Sequence, residues 1–305
     1  MKKTIAVCLT AVLLLAGCSK APEQADMETK QEIVYSNLAD EASQKEVAAL
    51  LTEHGISKEQ VEVFMDWVTD FNDRVSEGKL AGGFQPMEET GVSYDTLNVD
   101  YKTIDEAEGK NKAMPEEEQA GTAEDLMVSE EIAPEANCRL TSYLLMQPWI
   151  KTNGKQLEHD TILMFDIEAI DTYAPFHMEE AERSNFISLF NWIPLEGADT
   201  LEAHIAKIQE AWKEREIQIT GDGVSLINVY LHNSFDDTRF VGHTGVLLES
   251  ADGLLFVEKY GPAYPFQATK FQNREQLKTY LLARPDLYGD ETELKPIVME
   301  NDRVI

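Results

Sequence analysis

Residues 240–249 and 254–259 are two apolar runs separated only by Ser250-Ala251-Asp252-Gly253. Two strand-like runs across so short a polar, glycine-containing link can pair only as an antiparallel hairpin. Side-chain period then decides what shares a face. A two-residue turn at Ala251-Asp252 sets Gly245 opposite Glu258 and puts Glu258 on the face of His243, one diagonal step away, about 7–8 Å between backbones. A turn at Asp252-Gly253 keeps the face but moves Glu258 further off. A three-residue turn separates the two residues.

The rest of the chain supplies mostly helices. Residues 43–55 carry Val47, Leu50, Leu51 and His54 on one stripe, stopped by Gly55. Ser57 with Gln60 forms a capping box for a second helix, striped by Val61, Phe64, Met65, Val68 and Phe71. These two read as a helical hairpin. Residues 137–146 are helical, and 161–169 fit either a strand or a buried helix. Residues 178–189 and 201–215 are helical, the second capped by Thr200. Residues 217–219 read as a strand edge and 224–232 as a strand, and 276–283 close the chain with a short helix. Helices first and strands later predict an α+β fold.

The N-terminus carries Lys2 and Lys3, an apolar run over 5–16, and Leu15-Ala16-Gly17-Cys18. The run is shorter than the ~20 residues a membrane span needs and suits a cleaved signal. The pattern resembles a bacterial lipobox. That resemblance implies a signal peptide over 1–17, a lipid on Cys18 that anchors the chain in the outer face of the cell membrane, and a polar tether over 18–34. Cys8 leaves with such a signal, so Cys138 is the one free thiol that remains. A lone cysteine in an exported chain is most often a small buried hydrophobe, unless chemistry retains it.

Charge narrows the partners. The net charge is −30, from 56 acidic against 26 basic residues. Such a surface repels phosphate backbones, so a nucleic-acid partner is not expected. Residues 81–135 are acidic and poor in branched apolar side chains, which predicts a solvated irregular segment. They lack the ligand spacing and turn glycine of a calcium loop. The histidines show no i, i+4 pair and no second cysteine joins them, so no metal site is expected. No glycine-rich phosphate loop points to a nucleotide, and no cofactor is expected.

Three pieces can carry chemistry. Cys138 begins a helix, where partial positive charge and unpaired N–H groups favour a thiolate and can hold an oxyanion. His243 lies in Gly242-His243-Thr244-Gly245-Val246, and Glu258 lies on the returning strand. A thiol, a base and an orienting group are the parts of nucleophilic amide hydrolysis. Asn137 and Arg139, either side of the thiol, are candidates for oxyanion or substrate contacts.

The order cysteine, histidine on a strand, polar residue on the next strand resembles papain-like cysteine peptidases and amidases. Residues 242–248 are similar to the histidine strand of their NlpC-type cell-wall branch. The resemblance implies a papain-like helix-and-antiparallel-sheet domain over 136–305, with the hairpin over 35–80 in front of it. It implies Cys138 as nucleophile, His243 as base and Glu258 as orienter, with a peptidoglycan peptide as the nearest substrate. Glu at the third position departs from the usual Asn, Gln, His or Asp, and the Cys–His gap is long. The whole chain also resembles a family of uncharacterised Gram-positive lipoproteins through Tyr35-Ser36-Asn37-Leu38, Asn137-Cys138-Arg139 and Gly242-His243-Thr244-Gly245-Val246. That second likeness implies no activity. The alternatives are a non-catalytic surface lipoprotein that binds a peptide, glycan or protein, and a scaffold that docks through the helical hairpin.

Overall fold

The computed structural model describes residues 33–75, 80–87, 136–261, 264–284 and 293–305. The signal over 1–17, all but the last two residues of the tether over 18–34, and most of the acidic stretch over 81–135 lie outside these residues. Among them the protein is a mixture of helices and antiparallel sheet. The strands are β1 (Val34–Ser36), β2 (Gln85–Pro86), β3 (Ile150–Lys151), β4 (Ile193–Pro194), β5 (Gln218–Ile219), β6 (Val224–Asn233), β7 (Thr238–Ser250), β8 (Gly253–Lys259), β9 (Phe266–Phe271), β10 (Ile297–Glu300) and β11 (Arg303–Val304). The helices are α1 (Glu41–Glu53), α2 (Lys58–Arg74), α3 (Cys138–Met146), α4 (Met164–Thr172), α5 (Glu180–Phe190), α6 (Leu201–Glu214) and α7 (Arg274–Ala283). The main sheet runs β11-β10-β6-β7-β8-β9-β1-β2, with β4 also on β7, while β3 and β5 form a separate pair.

Each long strand alternates between two cores, as period-2 geometry requires. Leu226, Val246, Leu248, Leu255 and Val257 point into the larger one, shared with Val47, Phe64, Leu140, Ile167, Phe186 and Ile208 of the helices. Ile227, Val229, Leu247, Leu254 and Phe256 point the other way, onto Leu277, Tyr280 and Leu281 of α7. The sheet is therefore covered on both faces, which explains why its central strands read as nearly continuous apolar runs.

The first two helices are part of this core. Phe64 and Phe71 both pack edge-on against Phe266 of β9, and β1 pairs with β9 antiparallel. Their starts are capped by Asp40, which accepts from Ala42 and Ser43, and by the Ser57–Gln60 box. The Tyr35-Ser36-Asn37-Leu38 stretch serves this join. Asn37 donates to the Phe266 carbonyl at 3.3 Å and accepts from the Ala81 N–H at 3.0 Å.

One open reading is decided and one expectation is corrected. Residues 161–169 are helical, a 3-10 turn running into α4, because the side chain of Asp160 caps Ile162 and Leu163. The chain does not close on the helix after β9. β10 and β11 follow it, and β10 pairs with β6. Strands β1, β2, β9 and β10 escape periodicity because each spans only two to six residues, and a strand that short is selected by its neighbours.

Candidate active site

The β7–β8 turn is the two-residue one: Ser250 pairs with Gly253 and Val246 with Val257. Continuing that register sets Gly245 beside Glu258, and Glu258 pairs onward with Gln267 of β9. A bulge shapes the other side of β7. Val229 pairs with His243 but Tyr230 pairs with Val241, so Gly242 is skipped. The extra residue of such a bulge is left unpaired and bends the strand. His243 is the first paired residue after it.

His243 Nε2 lies 2.5 Å from Glu258 Oε2, and both residues are buried. Since that nitrogen donates to the carboxylate, Nδ1 carries the lone pair in the neutral ring. Cys138 and His243 lie close enough for each side chain to shift the pKa of the other. Nδ1 is the nitrogen left to accept the thiol proton.

Cys138 is the first residue of α3, whose cap is Asn137. Asn137 Oδ1 accepts from the Leu140 N–H at 2.9 Å, and its Nδ2 donates to Asp166 Oδ1 at 2.6 Å. Arg139 Nη2 donates to Asp166 Oδ2 at 2.7 Å, and its Nη1 donates to the Val241 carbonyl at 3.1 Å. Asp166, fully buried on α4, therefore holds both neighbours of the thiol. The side chains of Asn137 and Arg139, the candidates for oxyanion or substrate contacts, are engaged in locking the helix start onto α4 and β7. The donors that suit an oxyanion are the first backbone N–H groups of α3, which have no partner within a helix.

The electrostatics bring the thiol and the imidazole toward one another in pKa. Burial pushes the Cys138 thiol up, but His243, with Arg139 behind it, outweighs that and holds the thiol below its ordinary value. Burial pulls the His243 imidazole down, and Arg284 adds to that. Cys138 and Glu258 prevail and raise it. Burial likewise opposes the charge of Glu258, yet His243, Arg284 and Tyr280 keep it below the usual carboxylate range.

Residues 34–305 match the model of a family described as a domain of unknown function, DUF4300. The chain belongs to this family. No curated protein and no solved structure matches it.

In this DUF4300 chain, sequence reasoning missed four residues around the site. Asp166 was hidden in a stretch with two readings. Arg284 and Tyr280 reach Glu258 from the end of α7, at 2.9 Å and 2.6 Å. Gln267 faces Glu258 across β8–β9 at 3.5 Å. Gln267 left no distinguishing signal, since Thr269 and Lys270 are polar in the same FQATKF stretch. Elsewhere, His204 and His232 come together with ring centroids 5.0 Å apart. Among the described residues no three His, Cys, Asp or Glu side chains are grouped to hold a metal.

Proposed function

We propose that this chain is a thiol hydrolase of amide bonds with a papain-like arrangement, held outside the cell by a lipid on Cys18. The observation that carries the reading is the buried line from the first residue of α3 through His243 to Glu258. In the reaction, Cys138 Sγ attacks the amide carbonyl and its proton passes to His243. The oxyanion faces the first N–H groups of α3. The C–N bond breaks as His243 returns the proton to the departing amine, which leaves a thioester. Water, giving a proton to His243, then attacks the thioester, and Cys138 leaves as the thiol. Glu258 keeps the imidazole in its tautomer and orientation throughout.

The substrate class follows from location. A lipid on Cys18 would hold the domain beside the wall, where peptidoglycan stem peptides are the abundant amides. Among the described residues no helix is long and apolar enough to cross a membrane. Partition of the expressed chain into detergent, lost in Cys18→Ser, tests the anchor. Incubation with purified muropeptides, read by mass spectrometry, tests the chemistry. Cleavage should vanish in Cys138→Ala, by about a thousandfold or more. Undiminished cleavage by a folded Cys138→Ala would rule out the nucleophile.

One observation favours a second reading, a non-catalytic lipoprotein that binds a peptide, glycan or protein. Cys138 is 7% exposed and His243 1%. That reading expects Cys138 to react with iodoacetamide only after unfolding.

A further inference from the structure

Arg284 follows α7 directly and is 3% exposed. Its Nη1 donates to Glu258 Oε2 at 2.9 Å and lies 3.0 Å from His243 Nε2. That nitrogen already directs its proton at Glu258, so the second distance places a cation beside the ring and adds no further bond. Arg284 Nη2 donates to the Tyr260 carbonyl at 2.8 Å, and the guanidinium stacks 3.4 Å from the Tyr260 ring centroid. Tyr280 Oη donates to the other carboxylate oxygen, Oε1, at 2.6 Å. Oε2 is thus shared between an imidazole, whose charge comes and goes, and a guanidinium, whose charge is permanent.

This sharing matters for a proton that has to move. A nearby carboxylate raises the pKa of the imidazole it pairs with, and a second, permanent cation on that carboxylate offsets the rise. With Arg284 present, Glu258 is neutralised in every step. The thiolate and imidazolium then balance one another, as Arg139 and Asp166 do nearby.

We propose that Arg284 is a positioning residue: by pairing permanently with Glu258, it lets the carboxylate orient His243 while leaving the imidazole proton free to pass between Cys138 and the leaving amine. This rests on the thiol-hydrolase reading above. The groups that face His243 are Cys138 from α3 with Arg139 beyond it, Glu258 from β8, Arg284, and the rings of Phe256 and Tyr260. Of the charged ones, Arg284 acts to lower the imidazole pKa and Glu258 to raise it.

The test is an NMR titration of the full chain labelled at histidine, with the His243 signal assigned through His243→Gln. In Arg284→Met the His243 midpoint should move up by about one pH unit or more, a tenfold tighter hold on the proton. Arg284→Lys, which keeps the charge, should stay near the parent. A merely structural role would lower the melting temperature of both variants and displace neither midpoint. If Arg284→Met does not fold, Arg284→Gln carries the same expected displacement, since it can donate to Glu258 but bears no charge. An unmoved midpoint in the folded uncharged variant overturns the proposal. The muropeptide assay of Cys138→Ala separates the two ideas. Cleavage that needs Cys138, together with an unmoved midpoint, defeats only the role of Arg284, whereas cleavage that survives without Cys138 defeats the hydrolase reading itself.

Discussion

Arg139, the residue after the candidate nucleophile, reaches α4 in a two-armed bridge, with its Nε 3.1 Å from both oxygens of Asp166 and its Nη2 2.7 Å from one. Asp166 is fully buried and the Arg139 side chain is 15% exposed. Breaking such a pair from one side leaves an uncompensated charge, so Asp166→Asn should cost ~3–5 kcal/mol in urea unfolding. The thiol should respond in the opposite sense. Asp166 opposes ionisation of Cys138, so the folded variant should alkylate with a lower pH midpoint even as it loses stability. A change in stability alone would mean that Asp166 does not sense the thiol.

Alkylation of Cys138 by iodoacetamide, followed at its own peptide by mass spectrometry, should show a midpoint below the ~8.5 of a free thiol. His243 is the largest of the groups that favour the thiolate. In His243→Ala the midpoint should therefore rise, and each unit of rise should cut the rate at neutral pH about tenfold. Equal profiles for the parent and His243→Ala would show that the imidazole does not activate the sulfur.

Stability should respond to pH at both ends of the site. Glu258 is held below its ordinary 4.5. Its contribution is therefore complete above that value and lost as pH falls through the folded one. His243 is raised above its ordinary 6.5, so its contribution is complete below 6.5 and lost as pH rises through the folded value. The chain carries a net charge of −30, which also changes with pH. The comparison to make is therefore the difference in urea midpoint between the parent and Glu258→Gln. That difference should be largest near pH 5–6 and shrink as acid protonates Glu258 in the parent. Glu258→Gln also strands Arg284, so the loss at its largest should be ~3–5 kcal/mol. A difference that does not vary with pH would mean that Glu258 is already neutral in the fold.

The hairpin that sets Glu258 beside His243 was legible because its geometry depends only on period and on turn length. Ala251-Asp252 is one of three turns the sequence allowed, and the register Ser250 to Gly253 selects it. Two helix starts were legible for the same local reason: Ser57 and Thr200 each accept from the turn that follows. What escaped is non-local. Asp166 and Arg284 gain meaning only when α4 and α7 are folded onto opposite faces of the sheet. No spacing along the chain relates Asp166 to Arg139, 27 residues away, or Arg284 to Glu258, 26 residues away.

The glycines around His243 were legible as residues but not as to purpose. A methyl group added at Gly245 would meet Phe256 Cζ at 2.3 Å and the Val257 carbonyl at 3.0 Å, and one at Gly242 would meet Leu231 Cδ1 at 2.3 Å. Both glycines make room for side chains from neighbouring strands. At Gly245 the obstacles include backbone oxygen, and Phe256 is fully buried, so the sheet can yield only by moving β8. β8 carries Glu258. Gly245→Ala should thus cost ~1–3 kcal/mol through overpacking and should also displace Glu258 from His243, raising the midpoint of Cys138 alkylation. Gly242→Ala presses on Cδ1 and Cγ of a partly buried leucine and on no backbone atom, so it should be milder and leave Glu258 in place. Measuring urea midpoints and alkylation profiles for both variants separates the effects. If Gly245→Ala loses stability but keeps the parent alkylation profile, the contact between His243 and Glu258 does not depend on the spacing of β7 and β8.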